Sequence, residues 1–254
     1  MSFTTWTPPA VASERKPLAL SLWRAVEAQH VVSTMPLVDS LQEQAVLEAV
    51  IDAGKPAVPA DARHLHYLMF TPFRYPPAEW GSRFRSGQDP GVFYGTESLR
   101  TACAELGYWR WRFLMDCPDL PRIEARAQTL FQVSIKAEGV TLDTPPFAQD
   151  AARWADPLDY TPCQAFARTA RDAGVELIRY PSVRDPAPGL CAAVMSPRAF
   201  ASPQPLAATT WMLTVRHDRV IWQRDDLRQR ESFEFESACW QTLRHRTNES
   251  PTAT

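Results

Sequence analysis

The sequence predicts an α+β fold, a mixed α/β domain, from two observations. Apolar runs with the two-residue period of strands alternate with capped segments of helical period. A late pair of runs, within WMLTVRHDRVIWQ, reads as a hairpin turning near His217 and Asp218. Alternation followed by a hairpin fits helices packed on a mixed sheet.

The elements follow in order. Residues 1–18, with Pro8 and Pro9 among small polar residues, read as flexible. LALSLWRAVEAQH begins as a strand. Ser40 and Glu43 form a capping box, and Gly54 sits where a helix should stop. Between them Ala45, Leu47, Val50 and Ile51 give an apolar face, and Pro56 and Pro59 forbid continuation. HLHYLMFTPFRYPP reads as a strand ending at prolines. The loop GSRFRSGQDPG leads into a short strand, VFYGT. Ser98 caps a helix, LRTACAELGYWRWRFLM, whose buried face is Leu99, Ala102, Cys103 and Leu106, with Glu105 beside it. FQVSIKA is a strand. Thr161 and Pro162 start a helix that Gly174 stops. VELIRYPS and LCAAVM are further strands, and the tail from Arg228 is expected to fray. The expected organisation is a flexible 1–18, a main domain over 19–227, and a partly flexible extension over 228–254.

Composition narrows the class. The 254 residues are 45% hydrophobic and 22% charged, ordinary for a globular protein with a substantial core. A net charge of -2 gives no broad basic face, so direct nucleic-acid binding is not expected. Cys103, Cys117, Cys163, Cys191 and Cys239 lack CxxC spacing and read as buried free thiols. The five histidines form no ligand pattern, so no metal is expected. No signal-like start or membrane-length apolar run is present, and a cytoplasmic protein is expected.

The chemistry concentrates between Gly81 and Glu105. Arg83, Tyr94 and Glu105 stand at equal intervals of eleven residues, on a loop, a strand and a helix. A half-buried carboxylate needs a partner: it is either a structural ion pair or an anion held for a substrate. Glycosidic cleavage passes through an oxocarbenium-like state, which a placed anion stabilises. Tyr94 is either a packed strand tyrosine or a face for a nicotinamide or adenine ring. Arg83 and Arg85 are either a solvated loop or a fork for a pyrophosphate. Arg24 and Arg74 compete as a further cation. Ser182, in YPSVR, has no GxSxG elbow, so a hydrogen bond to a ribose or carboxamide fits better than nucleophilic attack. Tyr108, Trp109, Trp111 and Phe113 read as packing.

At these residues the sequence resembles the RES-domain family, the toxins of bacterial toxin–antitoxin pairs. The family's arginine loop is similar to GSRFR, which puts its arginine on Arg83. Its strand tyrosine falls on Tyr94, its helical glutamate on Glu105, its serine on Ser182, and its early Trp-Arg strand on Leu22-Trp23-Arg24. The resemblance implies an ADP-ribosyltransferase-like split sheet with an NAD cleft, and NAD as substrate without a metal; against the short family members, 19–227 is the catalytic domain, with an insertion at about 25–80. It implies cleavage of the nicotinamide–ribose bond by hydrolysis or phosphorolysis. The alternatives are ADP-ribosyl transfer to a host protein and an inert binding module of the same fold. Tyr94 would stack on nicotinamide, Glu105 would hold its ribose, Arg24 and Arg83 the pyrophosphate, and Ser182 the sugar or carboxamide. The implied partner is a helix-turn-helix antitoxin that occludes the cleft; a homodimer is a further possibility.

Overall fold

The computed structural model describes residues 5–28, 37–76 and 81–241. Eight strands form one mixed sheet in the order β1-β2-β5-β4-β3-β6-β7-β8. They are β1 (Lys16–Glu27), β2 (Phe93–Thr96), β3 (Ile123–Thr141), β4 (Leu177–Pro181), β5 (Leu190–Val194), β6 (Ala207–Val215), β7 (Arg219–Arg224) and β8 (Ser232–Glu236). The helices are α1 (Pro8–Ser13), α2 (Leu41–Ala53), α3 (Tyr67–Arg74), α4 (Leu99–Met115), α5 (Ala151–Trp154), α6 (Thr161–Asp172) and α7 (Ala238–Gln241).

The long strand β3 organises the sheet. Its 128–139 stretch pairs antiparallel with all of β1, from Glu27↔Gln128 to Lys16↔Gly139. The other edge takes β6 along 123–132 and then β4, in parallel, at 139–141. From β4 the ladder runs through β5 to β2. β2 then returns to β1 through a single pair, Trp23↔Thr96. Five strands thus close on themselves, with a seam between β1 and β2 held at one point. Beyond that pair, backbone and side chains at the seam are left to face a cleft.

Most sequence-derived elements appear as expected. Ser40 and Ser98 cap α2 and α4 through their hydroxyls. Gly174, after α6, takes φ +73°, the left-handed turn that favours glycine. The hairpin is β6–β7.

Four expectations change. The N-terminal segment is ordered from Trp6: Pro8 and Pro9 occupy a helix's first turn, where a missing N–H loses no bond. Val11 is buried, and Trp6 packs 4.6 Å from Phe147 while its indole N–H donates to Asp150. YLMFTPFR is the helix α3, with Leu68 and Met69 on its buried side, His66 capping its start and Leu65 just before it in the same core. The apolar residues of α2 face outward: Val50 is 65% and Ile51 44% exposed, and Gln44 is the buried residue. The stretch after Arg228 folds into β8 and α7, because Phe235 and Trp240 join the aromatic core over β6 and β7. Residues 242–254 lie outside the described part, as do His30 and His245. His64 and His66 precede α3 rather than alternating on a strand.

That aromatic core fixes α4. Tyr108 and Trp111 of α4 pack against Trp211, Trp222, Phe235 and Trp240. Gly107 makes the approach possible, since a Cβ there would lie 3.1 Å from Val220. Glu105 is therefore carried on a helix anchored on both sides of it. Among the described residues no helix is long and apolar enough to cross a membrane, and no group of three metal-ligating side chains is present. All five cysteines are free thiols, but only Cys103, Cys163 and Cys191 are buried; Cys117 is half-buried and Cys239 is exposed.

Candidate active site

A cavity of about 340 Å³ opens at the β1/β2 seam. Such a volume falls in the range of small-molecule sites. Arg24 of β1, Arg83, Tyr94 of β2 and Glu105 of α4 all line it. The sequence-spaced residues therefore converge on one space.

The arginine loop is a tight turn. Ser82 and Arg85 exchange backbone hydrogen bonds, and Gly81 enters with φ +71°. A Cβ at Gly81 would lie 2.1 Å from the Arg85 carbonyl oxygen, so only glycine fits. The Tyr94 hydroxyl fastens this turn: it lies 2.8 Å from Ser82 Oγ and accepts from the Phe84 amide at 2.9 Å. Burial pushes the Tyr94 phenol upward, against the opposing pull of those hydrogen bonds. The phenol therefore stays neutral, and its ring is a wall of the cavity.

Arg83 is 4% exposed. Its Nη1 donates to the carbonyls of Trp154 (2.7 Å) and Asp156 (2.8 Å), and its guanidinium sits 4.7 Å from the Tyr160 ring centroid. Its Nε and Nη2 are buried without a partner. Arg24 donates through Nη1 to the Tyr94 carbonyl at 2.8 Å and lies 4.9 Å from the Phe93 ring. Its Nε is likewise buried and unpartnered. Burial lowers Arg24 to about 10, which leaves it charged at neutral pH. Orphaned N–H groups are costly unless something supplies acceptors. Two arginines lining one cavity give it a positive wall that suits an anionic ligand.

The remaining arginines of the sequence reading go elsewhere. Arg74 donates to the Pro56 carbonyl, and Arg85 to those of Asp89 and Tyr75. Both line a separate groove, so of the two competing cations Arg24 is the one at the cavity.

Glu105 is held at three points. Its Oε1 accepts from Ser182 Oγ at 2.6 Å and from the Cys191 thiol at 3.5 Å. Its Oε2 accepts from Arg184 Nη1 at 2.9 Å. Burial alone would raise the Glu105 carboxyl. The Arg184 guanidinium and the Ser182 hydroxyl outweigh it and hold the group below its ordinary value. The result is an oriented anion, 20% exposed, on the cavity wall.

Ser182 has a different position from the one expected. It is not part of the cavity lining; its Oγ donates to Glu105 and accepts from the amides of Arg184 and Asp185. It orients the carboxylate. Sequence reasoning missed Arg184, two residues past Ser182 in YPSVRD, and Tyr160, which opens α6. It also placed Trp109 in the packing. Trp109 is 48% exposed at the cavity rim, four residues and one helical turn from Glu105, a spacing that could have flagged it.

The model of the RES domain matches residues 58–222. The chain belongs to the RES-domain family. Glu105, Arg83, Tyr94, Ser182 and Arg184 fall inside the RES match; Arg24 and the segment after Trp222 lie outside it. Among solved structures, this RES protein is similar to a chain of the M. tuberculosis MbcT-MbcA toxin–antitoxin complex. The TM-score is 0.46 and the identity 13%, over 94% of this chain and 96% of that one. No curated protein matches the sequence.

Proposed function

We propose that this chain is an NAD-consuming toxin that cleaves the nicotinamide–ribose bond, with water or phosphate as acceptor. One observation carries the reading. Glu105 is held as an oriented anion in a cavity that Arg24 and Arg83 also line. An anion beside a sugar and cations beside a pyrophosphate are what this reaction requires.

The steps follow from charge. The bond from ribose C1′ to the nicotinamide ring nitrogen breaks, and its electron pair leaves with the ring. The pyridinium becomes neutral nicotinamide, and positive charge moves to C1′ and the ring oxygen of the ribose. Glu105 faces that charge and stabilises the transition state more than the ground state. A water or phosphate oxygen then attacks C1′; with water, one proton passes to solvent. Tyr94 and Trp109 offer aromatic faces to the nicotinamide, worth about 0.5–1.5 kcal/mol each beyond area burial. Arg24 and Arg83, which line the same cavity, take the pyrophosphate. Ser182 acts through Glu105.

Family membership also supports the biological setting of a bacterial toxin. The partner is a helix-turn-helix antitoxin that covers the cleft, and the site of action is the cytoplasm. The test is expression of the chain alone, with intracellular NAD measured. A fall in NAD with growth arrest is expected. Soluble protein with normal NAD and normal growth would refute the enzyme reading and favour an inert binding module.

A further inference from the structure

The counterion of Glu105 is set in place by a segment beyond the family match. Arg184 is 8% exposed although it sits in a loop. Its guanidinium lies 5.0 Å from the Tyr108 ring and 4.8 Å from the Trp109 ring. Nη1 donates to Glu105, and Nη2 to the Tyr160 hydroxyl at 2.6 Å. Its backbone carbonyl accepts the indole N–H of Trp240 at 2.7 Å. Trp240 belongs to α7, is 1% exposed, and packs against Tyr108, Trp111 and Phe235. The amide of Trp240 donates to the Ser237 carbonyl, and that of Ser237 to the Asp218 carbonyl in the β6–β7 turn. A chain of contacts thus runs from the C-terminal hairpin through α7 to the loop that carries Arg184.

We propose that Arg184 is a positioning residue that fixes Glu105 as an oriented anion, and that Trp240 holds Arg184 for that task. This rests on the reading of Glu105 as the group facing the cleaved sugar. The C-terminal segment then completes the active site rather than merely extending the domain.

The surroundings of Glu105 leave Arg184 as its direct counterion. From β4 and the following loop it faces Tyr180, Ser182 and Arg184; from β5, Cys191; from the arginine loop, Arg83; across the cavity stand Arg24, Tyr94 and Tyr160. Burial keeps the Cys191 thiol and the Tyr180 phenol neutral, far above their ordinary values. Arg83 acts on Glu105 at a distance, with no hydrogen bond between them, while Arg184 touches it. Arg184 itself is held charged: burial opposes the charge, and Glu105 together with the Tyr160 and Tyr180 phenols outweighs burial.

The test titrates the Glu105 carboxyl in the full chain by carbon NMR of labelled glutamate. The signal is assigned by its loss in Glu105→Gln. Arg184→Gln, folded by circular dichroism, is expected to move the midpoint up by roughly 1–3 pH units. Trp240→Phe keeps an aromatic ring and removes only the N–H; it should move the midpoint the same way by less. Arg184→Lys should restore part of the wild-type value. The acid limb of NAD consumption should move upward with the midpoint, and each pH unit reads as about a tenfold loss of turnover on that limb. An unchanged midpoint in Arg184→Gln overturns the proposal. A lower melting temperature in Trp240→Phe with midpoint and acid limb unchanged overturns the part assigned to Trp240. If the wild type consumes no NAD, the titration still decides the Arg184 claim, and the failure belongs to the proposed activity.

Discussion

Replacing Glu105 by Gln separates a catalytic anion from a structural ion pair. The side chain keeps its size and an oxygen for the Ser182 hydroxyl, but the charge opposite Arg184 is gone. Loss of one charge-assisted hydrogen bond at this burial costs about 2 kcal/mol of stability. For a domain of this length that lowers the melting temperature by about 4–8 °C, which leaves the fold intact at assay temperature. Loss of a group that stabilises transition-state charge costs about 2.7–4 kcal/mol, or roughly 100- to 1000-fold in turnover. NAD affinity should change little, because the arginines proposed for the pyrophosphate are untouched. The assay is nicotinamide release under saturating NAD, alongside thermal melting and NAD binding. A folded variant that melts lower yet turns over at the wild-type rate would make Glu105 purely structural.

Four further outcomes are expected. Arg83→Ala should raise KM for NAD more than it lowers kcat, and Arg83→Lys should not fully restore it, because the fork is lost; steady-state kinetics check this. Arg24→Met should weaken NAD binding while Arg74→Met leaves it unchanged, since only Arg24 lines the cavity; calorimetry with a non-hydrolysable analogue decides, and equal effects would refute the assignment. On acidification the Glu105 contribution to stability, present above about pH 4.3, should disappear as pH falls through its lower folded value. Wild type should therefore lose more melting temperature between pH 6 and pH 3 than Glu105→Gln does, and parallel losses would contradict the depressed carboxyl. Antitoxin and NAD analogue should compete for the cleft, and analogue binding undiminished in a saturated complex would rule out occlusion.

The fold was legible where local chemistry is strong. Ser40, Ser98, Thr161 and Gly174 mark helix ends that the structure keeps, because caps act over three or four residues. The errors lie where tertiary packing overrides local pattern. HLHYLMF reads as a strand by its aromatic and aliphatic content, yet Leu68 and Met69 reach the core from the helix α3. The α2 face shows the converse, with good helical spacing and, among the described residues, no core against it. At the site, Arg83, Tyr94 and Glu105 were visible because they share one short stretch with regular spacing. Arg24 could not be chosen over Arg74, because the choice depends on β1 pairing beside β2 at Trp23 and Thr96. Arg184 and Trp240 were invisible because their partnership joins residues 56 apart in the chain.

The most direct measurement is the identity of the products when purified chain meets NAD, with and without phosphate, by mass spectrometry. The account predicts one nicotinamide for each NAD lost, with ADP-ribose or its 1″-phosphate as the other product. AMP and nicotinamide mononucleotide would mean that the pyrophosphate is cut instead, and unchanged NAD from folded, monodisperse protein would contradict the activity itself.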